Sequence, residues 1–159
     1  MKFSHELRYD ASPEQVFAML SDPAFRERVC EEQRAHDWDV SIHSDGTTTT
    51  VTIDQRRPTT GMPRVAEKFV GGEVHIAHRE TWTSSTSASL DVSVPHKPGH
   101  FHGTVDLAAD GSGTVERVTG EVTVHIPLLG GRLEQLIADT LVAALETEQR
   151  VGRGWLAGA

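Results

Sequence analysis

The sequence predicts an α+β fold in which a curved, seven-stranded antiparallel sheet wraps around a long C-terminal helix. Three observations predict it. First, residues 37–126 alternate apolar and polar side chains in short runs separated by turn signals, which is typical of antiparallel strands. Second, two short helix signals follow the first strand. Third, apolar residues recur at spacings of three and four after Pro127, which predicts a long amphipathic helix that needs an apolar surface to cover.

The composition indicates one ordinary globular domain, residues 1–159. Hydrophobic residues make up 37% of the chain, charged residues 24%, and the formal net charge is −8. Because nucleic acids and anionic membranes bind basic proteins, this charge argues against both as the main partner. The single cysteine, Cys30, excludes a disulfide framework within the chain. We expect no stable membrane insertion and a cytoplasmic location, because no apolar run is typical of a signal peptide or a bilayer span.

Alternation and capping signals predict the first strand and the two short helices between strands one and two. Residues 2–9 alternate and place on one face Phe3, His5, Leu7 and Tyr9. Ser12 is typical of a helix N-cap, and Gln15 three residues later completes a capping box, which predicts a short helix. Asp22-Pro23 repeats the start signal and predicts a second one.

The next two strands are predicted to form a hairpin at Asp45-Gly46, a dipeptide typical of two-residue turns. This turn sets the pairs Ile42 with Thr49, Val40 with Val51, and Trp38 with Ile53. Residues 56–73 contain several prolines and glycines and are interpreted as irregular, with a short helical turn from Arg64 to Phe69.

Four further strands form a predicted meander. The first of them presents on one face Val74, Ile76, His78, Glu80 and Trp82. A turn near Lys97 sets the pairs Val94 with Phe101, Val92 with Gly103, and Leu90 with Val105. The last hairpin sets the pairs Phe101 with Val122, Gly103 with Gly120, and Val105 with Val118.

In this order the residues resemble the START-like, or SRPBCC, superfamily, which includes Bet v 1-like and polyketide cyclase-like proteins. The resemblance covers essentially the whole chain and is closest to an uncharacterised bacterial subfamily. The segments that carry it are Ser12–Phe17, Asp22-Pro23, Glu80–Trp82 and Pro127–Gly131. It implies a helix-grip fold with a cavity between the sheet and the terminal helix. In relatives the cavity holds lipids, polyketides, plant hormones, isoprenoid quinones or other apolar ligands, and only some members are enzymes.

Polar residues on the predicted inward faces are the candidates for chemistry, because an apolar face usually excludes them. His5 lies between Phe3 and Leu7, and His78 and Glu80 share one face of a strand. Burial would raise the pKa of Glu80, and His78 could exchange a proton with it. The two side chains could orient a ligand or act as acid and base. Alternatively, Glu80 pairs with an arginine and each histidine is a core residue.

The predicted ligand contacts combine these polar residues with aromatic, glycine and helix positions. Gly103 and Gly120 lie side by side, and they either bend the sheet or leave room for a ligand. The aromatic members could equally be core residues. The full set is His5, Tyr9, Trp38, His78, Glu80, Trp82, Phe101, Gly103, Gly120, Leu136, Leu141 and Leu145.

A metal site and other cofactors are not expected. His100 and His102 form a His-x-His pair on an outward face, but zinc usually requires three or four converging ligands. Cys30 adjoins two glutamates, which favour a raised thiol pKa and an unreactive side chain. Gly152 and Gly154 mark the last turn of the long helix as the part most prone to fray.

Three function classes remain open from the sequence. The first is binding or transport of a small hydrophobic molecule, such as a lipid, polyketide or isoprenoid, between the sheet and the terminal helix. The second is an aromatase/cyclase-type enzyme with His78 and Glu80 as the acid–base pair. The third is a protein-interaction module whose cavity is filled by its own side chains. The ligand and the oligomeric state, monomer or homodimer, stay open.

Overall fold

The computed structural model describes residues 1–158 and has one seven-stranded antiparallel sheet with the order β1-β7-β6-β5-β4-β3-β2. The strands are β1 (Lys2–Tyr9), β2 (Asp37–Ser44), β3 (Thr49–Pro58), β4 (Glu73–Trp82), β5 (Ser87–Ser93), β6 (Gly99–Asp110) and β7 (Gly113–Val124). The helices are α1 (Pro13–Leu20), α2 (Pro23–Glu32), α3 (Arg64–Val70) and α4 (Gly130–Leu156). The predicted α+β helix-grip fold is therefore confirmed, with a curved sheet and two short helices between β1 and β2.

The two short helices begin at the capping residues that the sequence predicts. Ser12 Oγ accepts the N–H of Gln15 at 3.2 Å, and Gln15 Oε1 accepts the N–H of Ser12 at 3.0 Å, which completes the capping box. Asp22 caps α2 by accepting the N–H of Ala24 at 2.9 Å. These caps fix the entry angle of α2, which places Phe25 and Arg26 in the protein interior.

The predicted pairing of β6 with β7 is confirmed, but the predicted registers of two other hairpins are wrong by two residues. Between β2 and β3, Ile42 pairs with Val51 and not with Thr49. The reason is the turn: Asp45 Oδ1 accepts the N–H groups of Thr47 and Thr48 at 3.1 and 2.8 Å, which closes a longer loop than a two-residue hairpin.

The hairpin between β5 and β6 differs in the same way. Val92, and not Val94, pairs with Phe101. Val94 belongs to the turn, where its carbonyl accepts the N–H of Lys97 at 3.0 Å and His96 has a φ of 65°. Because side chains alternate with a period of two, a shift of two residues keeps every side chain on its predicted face. The inward faces are therefore unchanged.

Helix α4 lies across the inward face of the sheet and packs closely at its C-terminal end. A Cβ atom on Gly152 would lie 2.7 Å from the ring of Tyr9 and 3.0 Å from Met19, so only glycine allows the helix to approach. Arg153 Nε donates to the carbonyl of Arg8 at 3.1 Å. Gly152 thus serves close packing instead of marking a loose last turn. No helix among residues 1–158 combines the length and apolarity of a membrane span.

Candidate functional site

A partly enclosed cavity of about 150 Å³ lies between the sheet, α2, α3 and α4. A cavity of about this size accommodates a single aromatic ring. Its wall is mainly apolar and is completed on the helical side by side chains of α3 and α4. The principal apolar lining residues are Val29, Ile53, Met62, Ala66, Phe69, Val70, Val74, Ile76, Val92, Phe101, Leu136, Ile137, Leu141, Ala144 and Leu145.

A cluster of buried charged and polar side chains borders this cavity and is centred on Arg26; we call it the Arg26 cluster, and it comprises Arg26, His78, Glu80, Trp82 and Glu148. The Arg26 guanidinium donates to Glu80 Oε2 at 2.7 Å and to Glu148 Oε2 at 3.2 Å. Its Nε donates to the carbonyl of Leu20 at 2.7 Å. Arg26 is 1% exposed, so its charge is neutralised by protein groups and not by solvent.

Both carboxylate oxygens of Glu80 are occupied by partners within this cluster. His78 Nε2 donates to Oε1 at 2.7 Å, while Trp82 Nε1 shares Oε2 with Arg26 at 2.7 Å. Burial by itself would raise the pKa of Glu80, but the charge of Arg26 and the bonds from His78 and Trp82 lower it to about 2. The predicted raised pKa of Glu80 is therefore wrong, because its partners outweigh its burial.

Two other buried carboxyl groups behave in the opposite way. Burial and the neighbouring charges of Glu148 and Glu80 raise the pKa of Glu116 well above its ordinary value. Burial also raises the pKa of Glu148, against the lowering effect of Arg26. Glu116 Oε2 and the hydroxyl of Tyr9 make no hydrogen bond within residues 1–158. One arginine among three buried carboxyl groups does not offset the effect of burial on the pKa of Glu116, which stays raised.

A second polar feature, which we call the Arg57 pair, consists of Gln55 and Arg57 on the cavity face of β3. Gln55 is buried, and its Nε2 donates to Gln33 Oε1 at 3.0 Å. Gln55 Oε1 and Arg57 Nε are both buried, and neither has a hydrogen-bond partner in the described part of the chain. Burial lowers the pKa of Arg57, and no carboxylate raises it again.

The structure brings five of the twelve predicted ligand contacts to the cavity wall and leaves seven outside it. The five are His78, Phe101, Leu136, Leu141 and Leu145. The seven that are not part of the wall are His5, Tyr9, Trp38, Glu80, Trp82, Gly103 and Gly120. Glu80 acts on the cavity only through His78 and Arg26, and Trp82 stacks on Phe17 with ring centroids 5.2 Å apart. Ligand contact by any of the twelve stays a prediction.

The paired glycines have a structural explanation. Gly103 and Gly120 face each other across β6 and β7, and a Cβ on either would lie within 2.8 Å of the tip of the Phe101 ring and closer still to backbone. The space that the two missing side chains leave is thus filled by Phe101. This packing favours the interpretation that the glycines permit close approach within a bent sheet.

The remaining reactive residue types do not form a site in the described chain. Among residues 1–158, no three His, Cys, Asp or Glu side chains converge as metal ligands. His102 Nδ1 instead bonds to Asp91 Oδ1 at 2.6 Å across the outer face of the sheet. The pKa of Cys30 is raised to about 11, as predicted in direction, but the main cause is burial and not the adjacent glutamates.

The sequence analysis did not identify four charged residues in or near the cavity wall, although the sequence carries a signal for each of them. Arg26 falls between Phe25 and Val29 on the buried face of α2, and Glu148 interrupts the apolar stripe of α4 between Leu145 and Val151. Glu116 and Arg57 continue the inward alternation of β7 and β3. The sequence analysis does not identify Arg57, because it predicts that residues 56–58 are irregular, whereas they form the end of β3.

Comparison with known sequences matches the chain to one family and to uncharacterised relatives. A family model described as a protein of unknown function, DUF2505, matches residues 4–156. The uncharacterised protein Rv0481c of Mycobacterium tuberculosis is 30% identical over 118 residues, which cover 70% of this chain and 67% of that protein.

Solved structures of low sequence identity share the architecture. A START superfamily protein from Mycobacterium smegmatis superposes with a TM-score of 0.62 at 15% identity, covering 99% of this chain and 97% of that one. Truncated norcoclaurine synthase from Thalictrum flavum superposes with a TM-score of 0.61 at 15% identity, covering 95% and 92%. At these identities the likeness shows the fold alone, and it confirms the helix-grip fold that the resemblance to the START-like superfamily implies.

Proposed function

The chain belongs to the DUF2505 family, and from its fold and the geometry of its cavity we propose that it binds a small hydrophobic molecule between the sheet and α4. The finer alternatives of a lipid, polyketide or isoprenoid ligand belong to this proposal. We also propose that the chain acts as a single domain and that it acts in the cytoplasm. The size of the cavity favours a compact apolar group, about one ring or a short chain, over a long lipid held entirely inside.

The observation that carries the proposal is an apolar cavity between the sheet and α4. Side chains of α3 and α4, including Phe69 and Leu141, wall it on the side opposite the sheet. Packing free of voids is the rule in protein interiors, and each cavity reduces stability. A cavity retained next to a buried charged cluster is best explained by an occupant. The same observation disfavours an interaction module with a filled interior.

The arrangement of Glu80 favours binding over acid–base catalysis. A general base needs a pKa near the working pH and a free lone pair directed at the substrate. The pKa of Glu80 is lowered to about 2, both its oxygens are engaged, and it is 4% exposed. His78 lines the cavity, and by donating to Glu80 it fixes its ring orientation. It is therefore suited to orient a ligand by hydrogen bonding.

Native mass spectrometry tests the proposal on protein purified under mild conditions from its own cells. Wild-type protein should retain a small molecule that dissociates on activation. Ala144→Phe, which fills the cavity from α4, should carry markedly less of it.

The matched control is Ala143→Phe, one residue along the same helix and exposed to solvent, which should retain the molecule as wild type does. Equal occupancy in Ala144→Phe and wild type would contradict binding in this cavity. Absence of a ligand from wild type, together with failure of apolar probes to bind it in solution, would contradict the function.

A further inference from the structure

One arginine of the cavity wall, Arg57, has no carboxylate neighbour that raises its pKa among residues 1–158. Arg57 lies on β3, and within residues 1–158 its buried Nε makes no hydrogen bond. Arginine stays charged in proteins, and a buried donor without an acceptor costs free energy. Arg26, in the same cavity wall, has two carboxylate partners. The two arginines of the wall therefore differ in whether carboxylates neighbour them.

The neighbouring acceptor is fixed by a chain of hydrogen bonds. Gln33 Nε2 donates to the carbonyl of Ala144 at 3.2 Å, so Gln33 must turn its Oε1 toward Gln55. Gln55 therefore presents its amide N–H to Gln33, and its Oε1 is left facing away without a donor. Because the network determines the orientation of both amides, the free atom of Gln55 is an acceptor and not a donor.

A donor and an acceptor thus stand two residues apart on one face of β3. Side chains at this spacing project in the same direction. The guanidinium of Arg57 suits a planar carboxylate, which it can bind through two parallel N–H bonds, and Gln55 Oε1 requires a hydroxyl or N–H. Around them the wall is apolar, formed by side chains such as Ile53, Val74 and Phe69. The Arg57 guanidinium and Gln55 Oε1 therefore determine which polar groups the ligand carries, and the apolar wall determines that the rest of the ligand is apolar.

We propose that the ligand is an amphipathic hydroxy acid, whose carboxylate binds Arg57 and whose adjacent hydroxyl donates to Gln55 Oε1. This inference rests on the proposed binding function and specifies the chemistry of the ligand's polar end. The apolar part of the ligand occupies the space under α4 and has about the size of one aromatic ring, as the cavity volume requires.

Three probes that share a phenylpropyl skeleton test this assignment by isothermal titration calorimetry at neutral pH and constant salt. Phenylpropanol has no charge, phenylpropanoate adds the carboxylate, and phenyllactate adds the adjacent hydroxyl. Wild-type affinity should rise in that order. Arg57→Met should weaken both acids by about tenfold or more, the usual effect of a hydrogen bond to a charged group, and leave phenylpropanol unchanged.

Variants separate the two contacts and control for charge. Gln55→Met should remove the advantage of phenyllactate over phenylpropanoate, by about fivefold, while preserving the effect of the carboxylate. Arg57→Lys should retain part of the preference for acids. Arg56→Met removes an equal charge from the preceding residue of β3, whose side chain is exposed. It should leave the affinity for all three probes unchanged.

The outcomes distinguish this inference from the function on which it rests. If phenylpropanol binds wild type as tightly as the acids do, or if Arg57→Met binds the acids normally, the inference is overturned while binding of apolar molecules stands. If none of the three probes binds wild type and native protein carries no ligand, both are overturned. Thermal unfolding of each variant, measured first, shows that it is folded, and Arg57→Lys provides the second measurement at the same position.

Discussion

The two arginines of the cavity wall, Arg26 and Arg57, differ in what surrounds them. Arg26 is buried and donates to two carboxylates and a backbone carbonyl. Arg57 is half-buried, with a buried Nε that has no acceptor in residues 1–158. Burying a charge is unfavourable in both places, but only Arg26 recovers that free energy within the fold. Identical side chains in one cavity wall therefore differ in whether the fold compensates their charge.

Two buried carboxyl groups, Glu80 and Glu116, also differ in their surroundings, and their pKa values are shifted in opposite directions. Glu80 has three donors, which lower its pKa to about 2 despite its burial. Glu116 Oε2 has no hydrogen-bond partner within the described chain, and burial raises the pKa of Glu116 well above its ordinary value. Partners, and not depth of burial, therefore decide whether a buried group stabilises the fold as an ion.

The largest effect is expected from Arg26→Met, which leaves Glu80 and Glu148 buried without their cation. Removing one partner of a buried ion pair costs about 3–5 kcal/mol of unfolding free energy, and urea denaturation should show a loss of that size. Arg28→Met is the control, because Arg28 is exposed and forms only surface ion pairs. A loss below about 1 kcal/mol would contradict a structural role for Arg26.

A smaller effect is expected from Glu80→Gln, which keeps the shape of the side chain and removes its charge. The loss should be about 1–3 kcal/mol, because hydrogen bonds from charged Arg26 weaken. Since the folded pKa of Glu80 lies below its ordinary value of 4.5, its contribution is present above that pH and is lost as the pH falls from about 4.5 to about 2.

Urea denaturation across this pH range is the measurement. Wild type should lose stability on acidification more steeply than Glu80→Gln does. Parallel pH profiles for the two proteins would show that Glu80 is not held ionised by the Arg26 cluster.

Glu116→Gln should act in the opposite direction and increase stability at neutral pH. The folded pKa of Glu116 is raised, so the folded state holds its proton more tightly and its contribution to stability falls as the pH rises above the unfolded value. Glutamine removes this ionisation and keeps a group that can bond to Tyr9. The melting temperature should therefore rise at neutral pH relative to wild type and converge with it at acid pH. A melting temperature of Glu116→Gln below that of wild type at neutral pH would contradict a raised pKa of Glu116 in the folded state.

The smallest effect on stability is expected from Arg57→Met, within about 0.5 kcal/mol of wild type or slightly stabilising. Methionine retains the apolar stem of arginine and removes an uncompensated charge. Urea denaturation alongside Arg26→Met makes the contrast direct. A loss for Arg57→Met comparable with that for Arg26→Met would abolish the distinction between a structural and a recognition arginine.

Sequence patterns predicted the elements well because each depends on local periodicity. The alternation from Phe3 to Tyr9 and the cap at Ser12 act within a few residues, and the structure confirms both. The two hairpin registers failed because turn length depended on particular hydrogen bonds, such as those of Asp45. Since both registers were wrong by an even number of residues, the inward faces of these strands were still assigned correctly.

The sequence by itself therefore determined the fold class, the order of the elements and the faces that point inward, because hydrophobic periodicity is written along the chain. Only the tertiary structure decided which charges meet. Arg26, Glu80 and Glu148 come from three elements and lie more than fifty positions apart in the sequence, and no local pattern records that they neutralise one another. The same holds for Arg57, whose Nε has no hydrogen-bond partner among residues 1–158, which is a property of the assembled cavity and not of β3.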